Sequence, residues 1–367
     1  MQYNWQQSDW PAFRYNLLGM QDLLLDIREQ SAYLSGQLSA LSGGLAEETI
    51  TQTMAAEAMH TAAIEGELLN RADVVSSIRN NLGLNSKKEI IRDKKAQGAG
   101  HLMVEVYKMV HAPLTEAVLF NWHTILMRHH RNINAGTWRK HQAPMQVVSG
   151  AIGREKIHFE APPSSIVKQE MKQFIRWFND TAPGGKSEIK SAPVRSAIAH
   201  LYFESIHPFE DGNGRIGRAI AEKAFSQSIG QPIPISISQA IEAGKRAYYT
   251  SLEQAQRSNE ITAWIGYFAS VINTAQATAR NTVAFIIKKA TFFDRFNARM
   301  NARQSKAIRK MMDQPAGFDE GMTAAKYISI TRTSKATATR DLQHLAALGA
   351  LVATNGGRST RYQLNLA

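Results

Sequence analysis

The sequence predicts a mainly α-helical chain. We expect a helical bundle interrupted by one β-hairpin, then a small C-terminal winged helix-turn-helix domain. Three observations carry this expectation. Apolar residues recur at helical spacing over most of residues 1–300. Within that stretch only residues 145–160 carry two strand-like runs around a turn. Residues 301–367 then follow the order helix, turn, helix, strand, turn, strand.

Composition sets the limits. At 367 residues, with 44% hydrophobic and 20% charged side chains, the chain has room for two or three globular domains. No apolar run approaches the ~18 residues that would cross a bilayer, so no membrane partner is expected. Met1-Gln2-Tyr3-Asn4-Trp5 offers neither a basic n-region nor an apolar core, so no secretion signal is expected. The absence of cysteine excludes disulfides and thiolate chemistry, and it fits a reducing, cytoplasmic setting. A formal net charge of +12 favours polyanionic partners: nucleotides, nucleic acid or acidic proteins.

Taken in order, residues 1–45 read as helix after a short extended start, with Trp5, Trp10, Phe13 and Tyr15 in a packing role. A second helix spans residues 47–69. In it Thr61 and Glu65 are four apart and share a face, and Gly66 follows. Residues 70–95 read as a helix, a polar turn at Gly83-Leu84-Asn85 and a charged helical start. Two helical tracts flank Pro113. The second ends near His123, His129 and His130, which lack a carboxylate at ligand spacing, so a metal site there is not expected. The strand-like runs at 145–149 and 156–160 enclose Gly150-Ala151-Ile152-Gly153. An exposed edge of such a hairpin can pair with an extended segment of another protein. Helix resumes at 164–179, and Pro193 suits the first turn of the next one. Further helices are expected over 219–228, 236–259 and 261–276, with a long connecting helix over 277–300. The chain therefore divides into 1–110, 111–276, the connector 277–300 and 301–367.

The last segment holds ten Lys/Arg against four Asp/Glu. Thr331-Arg332-Thr333-Ser334 caps a candidate recognition helix bearing Arg332, Lys335, Thr337 and Arg340. Asn355-Gly356-Gly357-Arg358 reads as the hairpin turn, putting Arg358 and Arg361 at a wing tip. DNA contact and a protein-binding or dimerising role both fit this module.

The densest chemistry lies in His207-Pro208-Phe209-Glu210-Asp211-Gly212-Asn213-Gly214-Arg215-Ile216-Gly217-Arg218. Glycines let backbone N–H groups converge on an anion, and the helix that follows adds its positive end. Arg215 and Arg218 are three apart, so both guanidinium groups can reach one polyphosphate. Asp211 is a hard oxygen donor suited to Mg²⁺ shared with phosphates. His207 has the near-neutral basicity to take a proton from a hydroxyl. Together these parts describe transfer of a phosphate-containing group.

His-Pro-Phe-x-Asp-Gly-Asn-Gly-Arg-x-x-Arg resembles the signature of the Fic (filamentation induced by cAMP) family, and the likeness extends over roughly residues 45–275. The resemblance implies a helical bundle that moves AMP from ATP to a Ser, Thr or Tyr hydroxyl of a target protein, releasing pyrophosphate. It implies His207 as general base, Asp211 as Mg²⁺ ligand, and Gly212, Asn213 and Gly214 as the α-phosphate cradle. Arg215 and Arg218 resemble the β- and γ-phosphate partners. Val147 and Val148 fall in a hairpin similar to the family's flap, which aligns the target backbone. Tyr248, Tyr249 and Gln256 match positions on the adenine side. Thr61, Glu65 and Gly66 resemble the family's inhibitory motif, with Glu65 paired to Arg218 in competition with the γ-phosphate. The second glycine of the cradle, Gly214, argues against the kinase-like branch, which carries lysine there. The resemblance thus implies an autoinhibited adenylyltransferase with self-modification, and inhibition within one chain or across a homodimer. AMP removal, with Glu65 positioning a water, stands as an alternative. So does a DNA-binding regulator with a nucleotide-sensing site.

Overall fold

The computed structural model describes residues 2–130, 133–149, 156–312, 321–354 and 360–366. Helix begins later than the sequence suggests. Apart from a 3₁₀ turn at Asn4–Gln6, residues 2–20 form no helix, and α1 spans Gln21–Ala40. Side-chain anchors explain the difference. Asn4 donates to Ser205 Oγ (2.9 Å), Trp5 Nε1 to the Glu160 carbonyl (2.7 Å) and Trp10 Nε1 to Glu170 (2.9 Å). Arg14 makes a backbone bridge with Glu260. The early aromatics thus pack, but as a strap rather than a helical face.

The second helix, α2 (Gly43–Ile64), also departs from expectation by stopping short of residue 69. Gly66 adopts the left-handed conformation at φ +80°, and the Glu67 N–H returns to the Ala62 carbonyl at 2.9 Å. Helices α3 (Arg71–Leu82), α4 (Lys94–Lys108) and α5 (Glu116–Met127) follow, each opened by a side-chain cap from Asn70, Asp93 and Thr115 respectively. Strands β1 (Gln146–Ser149) and β2 (Lys156–Glu160) pair antiparallel, with an irregularity between Val147 and Val148. The turn expected at 150–153 lies outside the described residues.

Helices α6 (Ser164–Asp180), α7 (Ala192–Ile206) and α8 (Asn213–Ile229) complete the bundle's centre. Every residue of α7 is buried, so this helix forms the axis of the core. Its one arginine is densely hydrogen-bonded. Arg195 donates to the Phe178 and Ala224 carbonyls, to Thr181 and Ser228 hydroxyls and to Gln227, and burial lowers its pKa to about 10. Truncating it to Ala leaves those buried acceptors without donors. We expect Arg195→Ala to cost at least ~3 kcal/mol, since each orphaned group costs ~1–3 kcal/mol. The loss is read as a lower urea midpoint at unchanged slope.

The single helix expected over 236–259 breaks at Gly244 into α9 (Ile237–Ala243) and α10 (Lys245–Ala255). Conversely, the two helices expected over 261–300 are one, α11 (Thr262–Phe296).

Two compact units emerge. One holds Met1–Ala40 and Ile50–Ala279, the other Leu41–Thr49 and Arg280–Ala367. The second contains α12 (Ala302–Met311), α13 (Ala324–Thr331), α14 (Lys335–Ala347) and the antiparallel pair β3 (Leu351–Thr354) and β4 (Arg361–Leu364). Thr323 and Ser334 cap α13 and α14, the second of them in the turn expected to cap that helix. Asp341 accepts from Tyr327 Oη, Arg303 and Asn301 at the centre of this unit. Burial raises the Asp341 pKa, but those donors outweigh it and hold the carboxyl below its usual range. The turn expected at 355–358, with Arg358, lies outside the described residues.

Candidate active site

The motif sits where α7 hands over to α8. His207 ends α7 in a left-handed conformation (φ 50°, ψ 60°), its N–H bonded to the Phe203 carbonyl at 2.9 Å. Such a backbone is strained for a residue with a Cβ, so the surroundings must hold it. Arg139 does much of this. Its Nε donates to the His207 carbonyl (2.8 Å), its Nη2 to the Pro162 and Ile206 carbonyls, and its backbone N–H to the Pro208 carbonyl. Sequence reasoning passed over Arg139 because a lone arginine at a helix end carries no pattern.

The next turn is pinned twice more. The Asn213 side chain accepts from the Phe209 N–H and donates to the Phe209 carbonyl, both at 2.9 Å. This amide therefore brackets the loop, and its side chain is not aimed into the cradle. His123 stacks on Phe209 with centroids 3.9 Å apart. Its Nδ1 accepts from the Gly136 N–H (2.9 Å), which leaves the proton on Nε2 to donate to the Asp211 carbonyl (3.0 Å). Burial lowers the His123 pKa, in keeping with a neutral ring that clamps the loop.

Gly212 then takes φ +81° and α8 begins. By helix geometry the first N–H groups of α8 have no acceptor within the helix and form the positive end of its dipole. Asp211 stands beside them, with its side chain 51% exposed. Its Oδ1 accepts from the Gly212 N–H (2.5 Å) and lies 3.5 Å from Arg215 Nη2. One accessible carboxylate next to the start of a helix fits the donor set that Mg²⁺ shares with phosphates.

Both motif arginines are buried and occupied. Arg218 donates from Nε to Thr61 Oγ1 (2.7 Å), and from Nη2 to the Thr61 carbonyl (3.1 Å) and to Glu65 Oε1 (2.7 Å). Burial would ease its deprotonation, but the Glu65 carboxylate outweighs this and raises the Arg218 pKa. Arg215 Nη1 meets Glu67 Oε2 at 2.7 Å, and Lys95 Nζ meets Glu67 Oε1 at 2.5 Å. Glu67 is a partner that no spacing rule on a continuous helix points to. The Gly66 turn brings both carboxylates over the start of α8, one to each arginine. Gly214 makes room for this, because a Cβ there would collide with Glu65 Oε1.

This end of α2 is also clipped down elsewhere. Glu57 accepts from the Ser236 hydroxyl (2.8 Å) and the Ser238 N–H (2.9 Å). His60 pairs with Glu242 (2.7 Å), and Lys245 reaches the Ile64 carbonyl.

The remaining site positions are more dispersed. Val148 on β1 is exposed, opposite Ile157, while Val147 faces Phe159. Tyr248 is buried, with its hydroxyl 2.8 Å from His200 Nε2. Tyr249 is half-exposed under Lys245, and burial pushes its pKa to about 12. Gln256 is buried and donates to the Glu204 carbonyl at 3.2 Å.

A model described as the Fic/DOC family matches residues 113–224, and one described as a domain of unknown function matches residues 3–84. A Fido domain-containing protein of Dictyostelium discoideum is 31% identical over 141 residues, spanning 37% of this chain and 92% of the relative. The chain belongs to the Fic/DOC family. Protein adenylyltransferase fic-1 of Caenorhabditis elegans is 32% identical to this Fic protein over 90 residues, 24% of the chain and 16% of the relative. The match thus spans less than a fifth of that relative's length. A solved Fic family protein from Desulfovibrio desulfuricans G20 superposes with a TM-score of 0.55 at 17% identity, covering 96% of this chain and 98% of its own. The fold is therefore that of the Fic proteins, mainly helical. Among the described residues, no helix is long and apolar enough to cross a membrane.

Proposed function

We propose that this Fic protein transfers AMP from ATP to a hydroxyl side chain of a target protein, and that Glu65 and Glu67 hold it inactive at rest. The supporting observation is the junction of α7 and α8. It gathers a base, an anion nest and two arginines, and lays a carboxylate on each arginine. In this reading residues 111–276 are the catalytic core and residues 1–110 carry the inhibitory turn.

The chemistry follows from the geometry. The target hydroxyl oxygen bonds to the α-phosphorus of ATP as the bond from that phosphorus to the bridging oxygen of pyrophosphate breaks. His207 takes the hydroxyl proton. The N–H groups at the start of α8 receive the α-phosphate oxygens, and Arg215 and Arg218 neutralise the departing charge. Asp211 would hold Mg²⁺, whose charge supports the same departure. The exposed β1 edge at Val147 and Val148 would align the target's backbone, and a hydroxyl of this same chain could serve, giving self-modification.

Arginines engaged by Glu65 and Glu67 cannot also bind phosphates. Bound ATP is then misplaced for in-line attack.

The test uses ATP labelled in the α- or the γ-phosphate, with Mg²⁺ and a cell lysate. Protein should take up the α-label and not the γ-label, and His207→Ala should lower the rate by ~10²–10⁴, the usual contribution of a general base. Label from the γ-phosphate alone, or no label on any protein, overturns the transfer reading.

We also infer that the second unit is a winged helix-turn-helix that contacts DNA. Arg332, Lys335 and Arg340 are exposed around the start of α14, with Thr337 partly buried beside them. Binding to a duplex that weakens steeply with salt, and is lost in Arg340→Ala, would support this.

A further inference from the structure

The fully buried stretch of α7 includes a carboxylate that the transfer scheme leaves unused. Glu204 lies one turn before His207, and its side chain is 5% exposed. Its Oε2 stands 3.6 Å from His207 Nδ1, just outside hydrogen-bond range, and its Oε1 has no hydrogen-bond partner. Burying a carboxylate with an idle oxygen is costly, so a chain that needed only packing here would favour an apolar residue. Nor is the space incidental. A Cβ at Gly217, in the turn of α8 facing Glu204, would collide with Glu204 Oε1.

We propose that Glu204 is a positioning residue for His207. Its carboxylate accepts a hydrogen bond from Nδ1–H, which keeps the proton on Nδ1 and leaves Nε2 as the free nitrogen presented to the target hydroxyl. The inference rests on His207 acting as the base. It follows the logic by which a buried acid fixes the tautomer of a catalytic imidazole. The 3.6 Å separation suits a resting enzyme, because such contacts are often long before substrate is engaged.

The backbone of His207 is already fixed on both sides, through Phe203 and Arg139, so the ring's remaining freedom is its rotation and tautomer. Glu204 is the acid beside Nδ1. The charged and titratable groups around it are His200 on the same helix, Arg218 on α8, and Tyr248 on α10 behind His200. Burial pushes the Glu204 carboxyl up, but the neighbouring imidazoles and the Arg218 guanidinium outweigh it, so the group stays anionic. Tyr248 is held protonated by burial, with its hydroxyl 2.8 Å from His200 Nε2.

The experiment compares wild type, Glu204→Gln and Gly217→Ala. Nitrogen-15 NMR of labelled histidine, with His207→Ala to assign the resonance, reads the tautomer without any turnover. Wild type should show Nδ1 protonated and Nε2 free, and both variants a mixture. In transfer assays Glu204→Gln should lower kcat about 10- to 100-fold, a share of the ~10²–10⁴ that general-base catalysis supplies, with KM for ATP nearly unchanged.

A Glu204→Gln enzyme with the wild-type tautomer and the wild-type kcat overturns the proposal. So does one whose defect is confined to thermal stability, which would make Glu204 a counter-charge for Arg218. If no variant transfers AMP, the NMR tautomers alone decide, and the failure falls on the transfer reading.

Discussion

Replacing both carboxylates, Glu65→Gly with Glu67→Gln, is expected to raise AMP transfer far more than either change alone. Each acid holds one arginine at 2.7 Å in a partly dry setting. A hydrogen bond to a charged group is worth ~1.5–3 kcal/mol, or about 10- to 100-fold in an equilibrium. Glu65→Gly alone frees Arg218 but leaves Arg215 bound to Glu67, so a gain near tenfold is expected, with a hundredfold or more for the double variant. Initial rates with α-labelled ATP measure this directly. If Glu67→Gln adds nothing to Glu65→Gly, then Glu67 serves only to tie the Gly66 turn to Lys95, and the lock is single.

That second carboxylate shows where sequence reading stops. The spacing of Arg215 and Arg218 places both on one face of α8, and the pattern around Glu65 suggests a partner for one of them. On a continuous helix, however, Glu67 would point about 200° away from Glu65, given 3.6 residues per turn. The two act from one side because α2 ends at Ile64 and Gly66 turns left-handed. A single φ angle decides it, and periodicity carries no trace of that angle.

The supports of the loop were hidden for a related reason. Arg139, His123 and Glu204 reach the motif region from positions that carry no repeating pattern. The contacts of Arg139 and His123 span more than sixty residues of chain. The mainly helical class was legible because amphipathic spacing repeats many times over. The strap at residues 2–20 was not, because its tryptophans find partners that lie far along the chain. The break at Gly244 was likewise masked, since α9 and α10 both carry helical patterns on either side of it.

In the proposed scheme the lock and the phosphate site share Arg218, and this makes a second large effect testable. Arg218→Lys keeps the positive charge but loses the planar fork that addresses Thr61 and Glu65 together. A lysine cannot offer the departing pyrophosphate the same paired donors, so transfer is expected to fall about 10²-fold, the scale of losing one preorganised donor. The same substitution should remove most of what Glu65 inhibits. Adding Glu65→Gly to Arg218→Lys should therefore change the rate little, whereas in the wild-type background it should activate. Four rates close this double-mutant cycle, and comparing within each background cancels any stability cost of altering a buried residue. Equal activation in both backgrounds would mean that Glu65 acts on the nucleotide directly, through its charge beside Gly214, and not by occupying Arg218. Near-complete loss of activation would mean that one guanidinium decides between two anions, and that the resting enzyme waits on whatever draws Glu65 away.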